Sequence, residues 1–193
     1  MSLYTKYRPE SFDQMQGQEH IRTTLQNAIT QDKIAHAYIF TGPRGTGKTT
    51  TARILAKHIV QEDKDPNNTQ DIIEMDAASN TSVDDIRHII ENSVIAPVFA
   101  DKKVYIIDEI HMLSKSAFNA LLKTLEEPPK HVYFILATTD IDKVPATVIS
   151  RCQRFDFRSL NQEELLNKIK NICETEQKEY ELSALELLAN AAE

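Results

Sequence analysis

Gly42-Pro43-Arg44-Gly45-Thr46-Gly47-Lys48-Thr49 follows an apolar run, Ala37-Tyr38-Ile39-Phe40, and leads into a helix-compatible segment from Thr50 to His58. Strand, glycine-rich loop and helix, in that order, form the setting in which a G-x-x-x-x-G-K-T pattern binds phosphate. The glycines let backbone N–H groups converge on an anion, and the following helix adds its positive N-terminal end. Gly42, Pro43, Arg44, Gly45, Thr46, Gly47, Lys48, Thr49 and Thr50 are therefore the expected cradle. Lys48 is expected to reach the β- and γ-phosphates, and the Thr49 hydroxyl to ligate Mg²⁺. The competing reading is a plain glycine turn between a strand and a helix.

Downstream, Lys103-Val104-Tyr105-Ile106-Ile107-Asp108-Glu109 is a continuous apolar run ending in two acids. Such a run suits a strand covered on both faces, and its C-terminal end is where ligands bind in open α/β sheets. An apolar run closing on Asp-Glu is a weak motif by itself. Placed after a phosphate loop, it makes Asp108 the expected second Mg²⁺ group and Glu109 the residue that orients and polarises attacking water. Asp108-Glu109-Ile110-His111 also spells the acid-acid-x-His signature of some helicases. Those enzymes need two motor domains where this chain has room for one, so His111 reads as a residue of the turn after the strand.

The 193 residues are 41% hydrophobic and 26% charged, an ordinary globular composition with space for one full domain and part of a second. A net charge of −7 argues against a free-standing basic nucleic-acid binder. No apolar run approaches the roughly 20 residues of a membrane span, and the N-terminus lacks a signal-peptide core. A cytoplasmic protein without membrane contact is expected. Cys152 and Cys173 are too few for a disulfide framework or a four-thiolate zinc site.

Around the two motifs, helical periodicity alternates with short apolar runs. Residues 1–17 read as an extended, proline-punctuated strap and 18–32 as an amphipathic helix. Glu62 to Thr69 reads as an exposed loop, Ile72 to Met75 as a strand, and Ser82 as the cap of a helix closed by Pro97. Ser114 caps a helix ending at Glu126 before Pro128-Pro129, and His131 to Ala137 is a further strand ending in Thr138-Thr139. Those hydroxyls could sense a γ-phosphate or simply suit a strand end. Arg154 to Phe157 is the last strand; 161–176 and 182–192 are helices with no strand between them. The expected fold is an α/β parallel sheet with helices on both faces, residues 1–157, followed by a truncated helical lid, 158–193.

With these motifs in place, the chain resembles an AAA+ ATPase and, more closely, the gamma/tau (DnaX) family of bacterial DNA polymerase III clamp-loader subunits. The likeness is carried by Tyr7-Arg8-Pro9, Gly17-Gln18-Glu19-His20, Gly42 to Thr49, Glu74 to Ser79, Val104 to Leu113, Phe118 to Pro129, Ala137-Thr138-Thr139 and Ser150-Arg151-Cys152. It implies that Arg8 and Pro9, with Tyr4, Met15 and Gln16, sit against adenine and ribose. It also implies Thr139 as γ-phosphate sensor, with Thr138 as second candidate, and Arg151 as an arginine finger for a neighbouring subunit's ATP. Read without the family, Arg151 is equally a surface cation.

The function so implied is ATP-driven loading of a sliding clamp onto primer-template DNA. Partners would be the other loader subunits, the clamp and DNA, with polymerase core and helicase reached through regions beyond this sequence. Members usually carry four zinc-binding cysteines before the second strand; Gln61 to Asp71 has none, so no zinc is expected. The usual second sensor arginine is also absent, which implies weak nucleotide binding and negligible turnover for this piece alone. The alternatives are an archaeal or eukaryotic type of clamp-loader small subunit, and a nucleotide-binding assembly module that does not hydrolyse.

Overall fold

The computed structural model describes residues 3–62, 64–79 and 83–191, with Tyr4 described by its backbone only. The chain runs α1 (Leu3–Lys6), α2 (Glu19–Thr30), β1 (Ala37–Thr41), α3 (Lys48–Val60), β2 (Ile72–Asp76), α4 (Val83–Ser93) and β3 (Lys103–Asp108). It continues through α5 (Lys115–Glu126), β4 (Val132–Thr138), α6 (Ala146–Ile149), β5 (Gln153–Asp156), α7 (Gln162–Thr175) and α8 (Leu182–Ala191). The strands form one sheet in the order β2-β3-β4-β1-β5, every pairing parallel. β1 thus lies in the interior and delivers its C-terminal end beside those of β4 and β3, where an open α/β sheet leaves a crevice.

The apolar runs are continuous because both sheet faces are covered, and successive side chains serve opposite cores. Tyr38, Phe40, Val104, Ile106, Tyr133 and Ile135 pack under α2 and α3 with Ile21, Leu25, Leu55 and Ile59. Ile39, Tyr105, Ile107, Phe134 and Leu136 pack on the other face against Ile86, Ile89, Phe118, Leu121 and Leu125 of α4 and α5. Helix α5 begins where expected: the Ser114 hydroxyl accepts the Ala117 N–H at 3.2 Å. Helix α7 opens with a capping box in which Asn161 and Glu164 satisfy each other's backbone N–H groups, each at 2.8 Å. Helices α7 and α8 pack on each other, Leu185 and Ala189 being buried.

Two expectations are corrected. The segment 1–17 is not an extended strap: it contains α1 and a 3₁₀ turn, Phe12–Gln14. Phe12 and Met15 are buried, and Phe12 stacks on His58 of α3 at 5.4 Å. Single helical turns are too short to show a period. Glu62 to Thr69 is likewise not all exposed loop. It leads into a 3₁₀ turn, Pro66–Asp71, in which Asn68 and Asp71 are buried.

Polar residues are drawn inside because they close backbone groups that a helix end and an irregular loop leave open. Asn68 Nδ2 donates to the Val60 and Gln61 carbonyls at 2.8 and 3.2 Å. The Asp71 carboxylate accepts the N–H groups of Val98, Phe99 and Ala100, the last two at 2.7 and 2.8 Å. The Ser82 cap lies outside the described residues.

Burial works to raise the Asp71 pKa, but the backbone donors and Lys103 together outweigh it and hold the group below its ordinary value. A carboxyl whose pKa is depressed by folding stabilises the protein above its unfolded pKa and loses that contribution as pH falls through its folded one. Asp71→Asn should therefore cost about 1–3 kcal/mol in urea unfolding at pH 7. The difference from wild type should shrink as the pH is taken below the ordinary carboxylate value of 3.8; a pH-independent difference would contradict the assignment.

Candidate functional site

At the end of β1 the chain turns at Gly42, whose φ of 143° suits glycine. An added Cβ would lie 2.3 Å from the carbonyl oxygen of Phe157, the residue that follows β5, so glycine is what lets the two segments pass that close. The loop then reaches α3, capped at Gly47 with φ 95°. Its first residue, Lys48, is only 5% exposed although it carries an ammonium. The ammonium donates to the Gly42 and Pro43 carbonyls at 2.7 and 2.8 Å, folding back across its own loop. Burial lowers the Lys48 pKa, and the nearby Glu109 and Asp108 carboxylates act against that shift.

The next residue bridges to β3. Thr49 Oγ1 donates to Asp108 Oδ2 at 2.6 Å, joining the start of α3 to the end of the strand two places away in the sheet. The other Asp108 oxygen accepts the Glu109 N–H at 2.9 Å. Glu109 is left-handed, φ 48° and ψ 44°, an uncommon conformation for a residue with a side chain. Its Oε2 accepts the N–H and the hydroxyl of Thr139 at 3.2 and 2.9 Å, and His111 Nδ1 stands 3.3 Å away. The neighbouring Thr138 hydroxyl meets His111 instead.

A cleft of about 580 Å³ is lined by Arg44 to Thr51, Asp108 and Glu109 on one side, while Thr138, Thr139 and His111 stand behind Glu109 and do not line it. Arg8, Pro9, Met15 and Gln16 line it as well, and Gln16 Oε1 is buried without a hydrogen-bond partner among the described residues. Gly42 and Pro43 do not line it; their carbonyls are engaged by Lys48. The Tyr4 side chain lies outside the described residues. Arg151 is not brought to the cleft: it ion-pairs with Glu126 and donates to the Thr147 carbonyl at 2.5 Å.

Sequence reasoning missed Leu3, Tyr7, Thr51, Leu160, Lys168 and Ile172, which complete the lining. Lys168 and Ile172 share a face of α7 at i and i+4 spacing. Tyr7 stood in the quoted Tyr7-Arg8-Pro9 triplet without a role. Its hydroxyl, with Lys6 Nζ, binds Glu176 Oε1, each at 2.6 Å, so the first turn of the chain is fastened to the end of α7. Nothing local in the sequence pairs positions so far apart.

Among the described residues, no group of three or more His, Cys, Asp or Glu could hold a metal. The Thr49 hydroxyl and Asp108 carboxylate are hard oxygen donors held together, which fits Mg²⁺. That ion is bound through one or two protein oxygens, its other ligands being phosphate and water.

Comparison with known proteins agrees with this geometry. The family model described as DNA polymerase III, delta subunit, matches residues 17–161. The DNA polymerase III subunit tau of Bacillus subtilis is 50% identical over all of this chain and 37% of its own length. The Escherichia coli subunit tau is 45% identical over 99% of the chain and 32% of its own length. A DNA polymerase III subunit gamma of Buchnera aphidicola is 41% identical over 98% of the chain and 56% of its own. The chain thus spans about a third of the length of the tau subunits it matches. Among solved structures, the Thermotoga maritima RuvB Holliday junction branch migration motor superposes with a TM-score of 0.72 and 25% identity, covering 95% of this chain and 59% of that one.

Gly42→Ala tests the loop geometry directly. The clash with Phe157 and the positive φ should together destabilise the fold by about 1–3 kcal/mol, read from thermal or urea unfolding. Gly45→Ala, where an added Cβ meets nothing within 4 Å, should cost less. Equal losses would show that the approach of β5 is not the constraint.

Proposed function

The chain belongs to the family of AAA+ proteins described by the DNA polymerase III subunit model, among the gamma and tau subunits; from that membership we propose that it binds and hydrolyses ATP in loading a sliding clamp onto primed DNA. The observation that carries this reading is the Thr49–Asp108 hydrogen bond beside a buried lysine whose ammonium is held by two loop carbonyls. A hydroxyl, a carboxylate and an ammonium meet at the mouth of a parallel sheet, which is the equipment for holding a triphosphate.

In this reading Lys48 leaves the Gly42 and Pro43 carbonyls for the β- and γ-phosphates, and the amides from Arg44 to Thr50 cradle them. Thr49 and Asp108 hold Mg²⁺, which when bound supplies charge neutralisation between the phosphates. Glu109 orients the attacking water, and Thr139, already bonded to Glu109, reads the γ-phosphate. Arg8, Pro9, Met15 and Gln16, with Tyr4, take the adenosine, and the unpartnered Gln16 oxygen suits a base amino group. Arg151 acts on the ATP of an adjacent subunit, releasing Glu126 to do so.

Residues 1–157 form the nucleotide-binding domain and 158–193 belong to a helical lid, in a cytoplasmic replication protein. The partners are the other loader subunits, the clamp and primer-template DNA, with polymerase core and helicase reached through further regions. Turnover by this chain alone is negligible, since the arginine is supplied by a neighbour.

Turnover and ATP binding, measured with partner subunits, clamp and primed DNA, test the reading. Glu109→Gln should lose hydrolysis and keep binding, which also separates a hydrolase from a non-hydrolysing assembly module. Arg151→Ala should lose the stimulation by assembly, a finger arginine being worth about 10³–10⁵ in NTPase rate. Full stimulated turnover in both variants would sink the proposal.

A further inference from the structure

His111 is absorbed by none of the roles above, yet it is built into the site. It lies on a 3₁₀ turn, Ile110–Met112, pinned by the fully buried Ile110, and its side chain is only 11% exposed. Its Nδ1 stands 3.0 Å from Thr138 Oγ1 and 3.3 Å from Glu109 Oε2.

The hydrogen bonds of Thr138 settle which ring nitrogen carries a proton here. Thr138 Oγ1 accepts the Asp140 N–H at 3.0 Å and lies 3.1 Å from the Asp140 carbonyl. A hydroxyl has one proton to give. Given to Nδ1, it would leave Oγ1 facing the Asp140 carbonyl, and Nδ1 facing the Glu109 carboxylate, lone pair against lone pair. Given to the carbonyl, it leaves Thr138 to accept from an Nδ1–H, whose nitrogen stands 3.3 Å from the Glu109 carboxylate. The second arrangement satisfies every contact.

We propose that His111, protonated at Nδ1 and anchored by Thr138, is a positioning residue for Glu109; this rests on the ATPase reading, in which Glu109 orients water. Two hydrogen bonds then hold Oε2, from the Thr139 N–H and the Thr139 hydroxyl, and the positive edge of the His111 ring at Nδ1–H lies 3.3 Å from the same oxygen. Oε1 has no protein donor among the described residues. One oxygen is held and the other is left to face the water, so the carboxylate plane is fixed before substrate arrives. His111 touches no reacting atom in this scheme; it acts through the base.

The test is steady-state ATP hydrolysis by the full-length chain in its assembly with partner subunits, clamp and primed DNA. His111→Phe keeps a ring and removes the donor. It should lower kcat on the order of 10-fold, part of the 10²–10⁴ that a positioned general base contributes, with KM for ATP unchanged. His111→Asn offers an amide N–H near the place of Nδ1 and should recover most of the loss. Thr138→Val keeps volume but deletes the anchoring hydroxyl, and should lower kcat in the same direction in a protein that still folds. Wild-type kcat in His111→Phe or in Thr138→Val, or equal impairment by Phe and Asn, would overturn the proposal. Glu109→Gln, run alongside, separates the two readings. Turnover that survives it overturns the base assignment and this proposal together. Turnover lost there but untouched by His111→Phe overturns the proposal alone.

Discussion

A buried ammonium at the mouth of the sheet governs the site. An unpaired charge removed from water is too costly to keep, so Lys48 must always have acceptors. Here they are two carbonyls of its own loop, and those carbonyls point inward only because Gly42 turns where β5 lets it. Neutral carbonyls satisfy the lysine without neutralising it. The loop is therefore stable as it stands and still biased toward any anion that offers more.

Around that charge the sheet does the positioning. The order β2-β3-β4-β1-β5 sets the ends of β1, β4 and β3 side by side, so the loop, Thr138–Thr139 and Asp108–Glu109 arrive at one edge from distant parts of the sequence. Regular strands carry these groups, and the irregular backbone, the loop and the left-handed Glu109, sits only at their tips. Stiffness where register matters and strain where chemistry is expected is a common division in enzymes.

The parts legible in the sequence were those that repeat or carry a motif. Apolar runs marked β1, β3 and β4 because both faces are buried; Ser114 and Pro128-Pro129 marked the limits of α5; the glycines and Lys48 marked the loop. Hidden were the contributions of single turns and long-range pairs. Phe12 and Met15 anchor the first segment through a single 3₁₀ turn, and Asn68 and Asp71 are buried to bind a helix end and a loop, in a stretch whose composition reads as solvent-facing. Leu160, Lys168 and Ile172 face the cleft because of how α7 docks, which depends on Tyr7 and Lys6 at the other end of the chain. A one-dimensional period carries no such information.

That docking bears on how the molecule is made. Lys6 and Tyr7 precede Glu176 by 170 and 169 residues, so the wall of the cleft that they close together cannot form on a nascent chain until α7 has been released as well. The sheet, with its own two cores, can assemble before then. A ribosome-bound intermediate would thus present the phosphate loop on a finished sheet with the far side open, and the pocket would be closed only once α7 has emerged and docked.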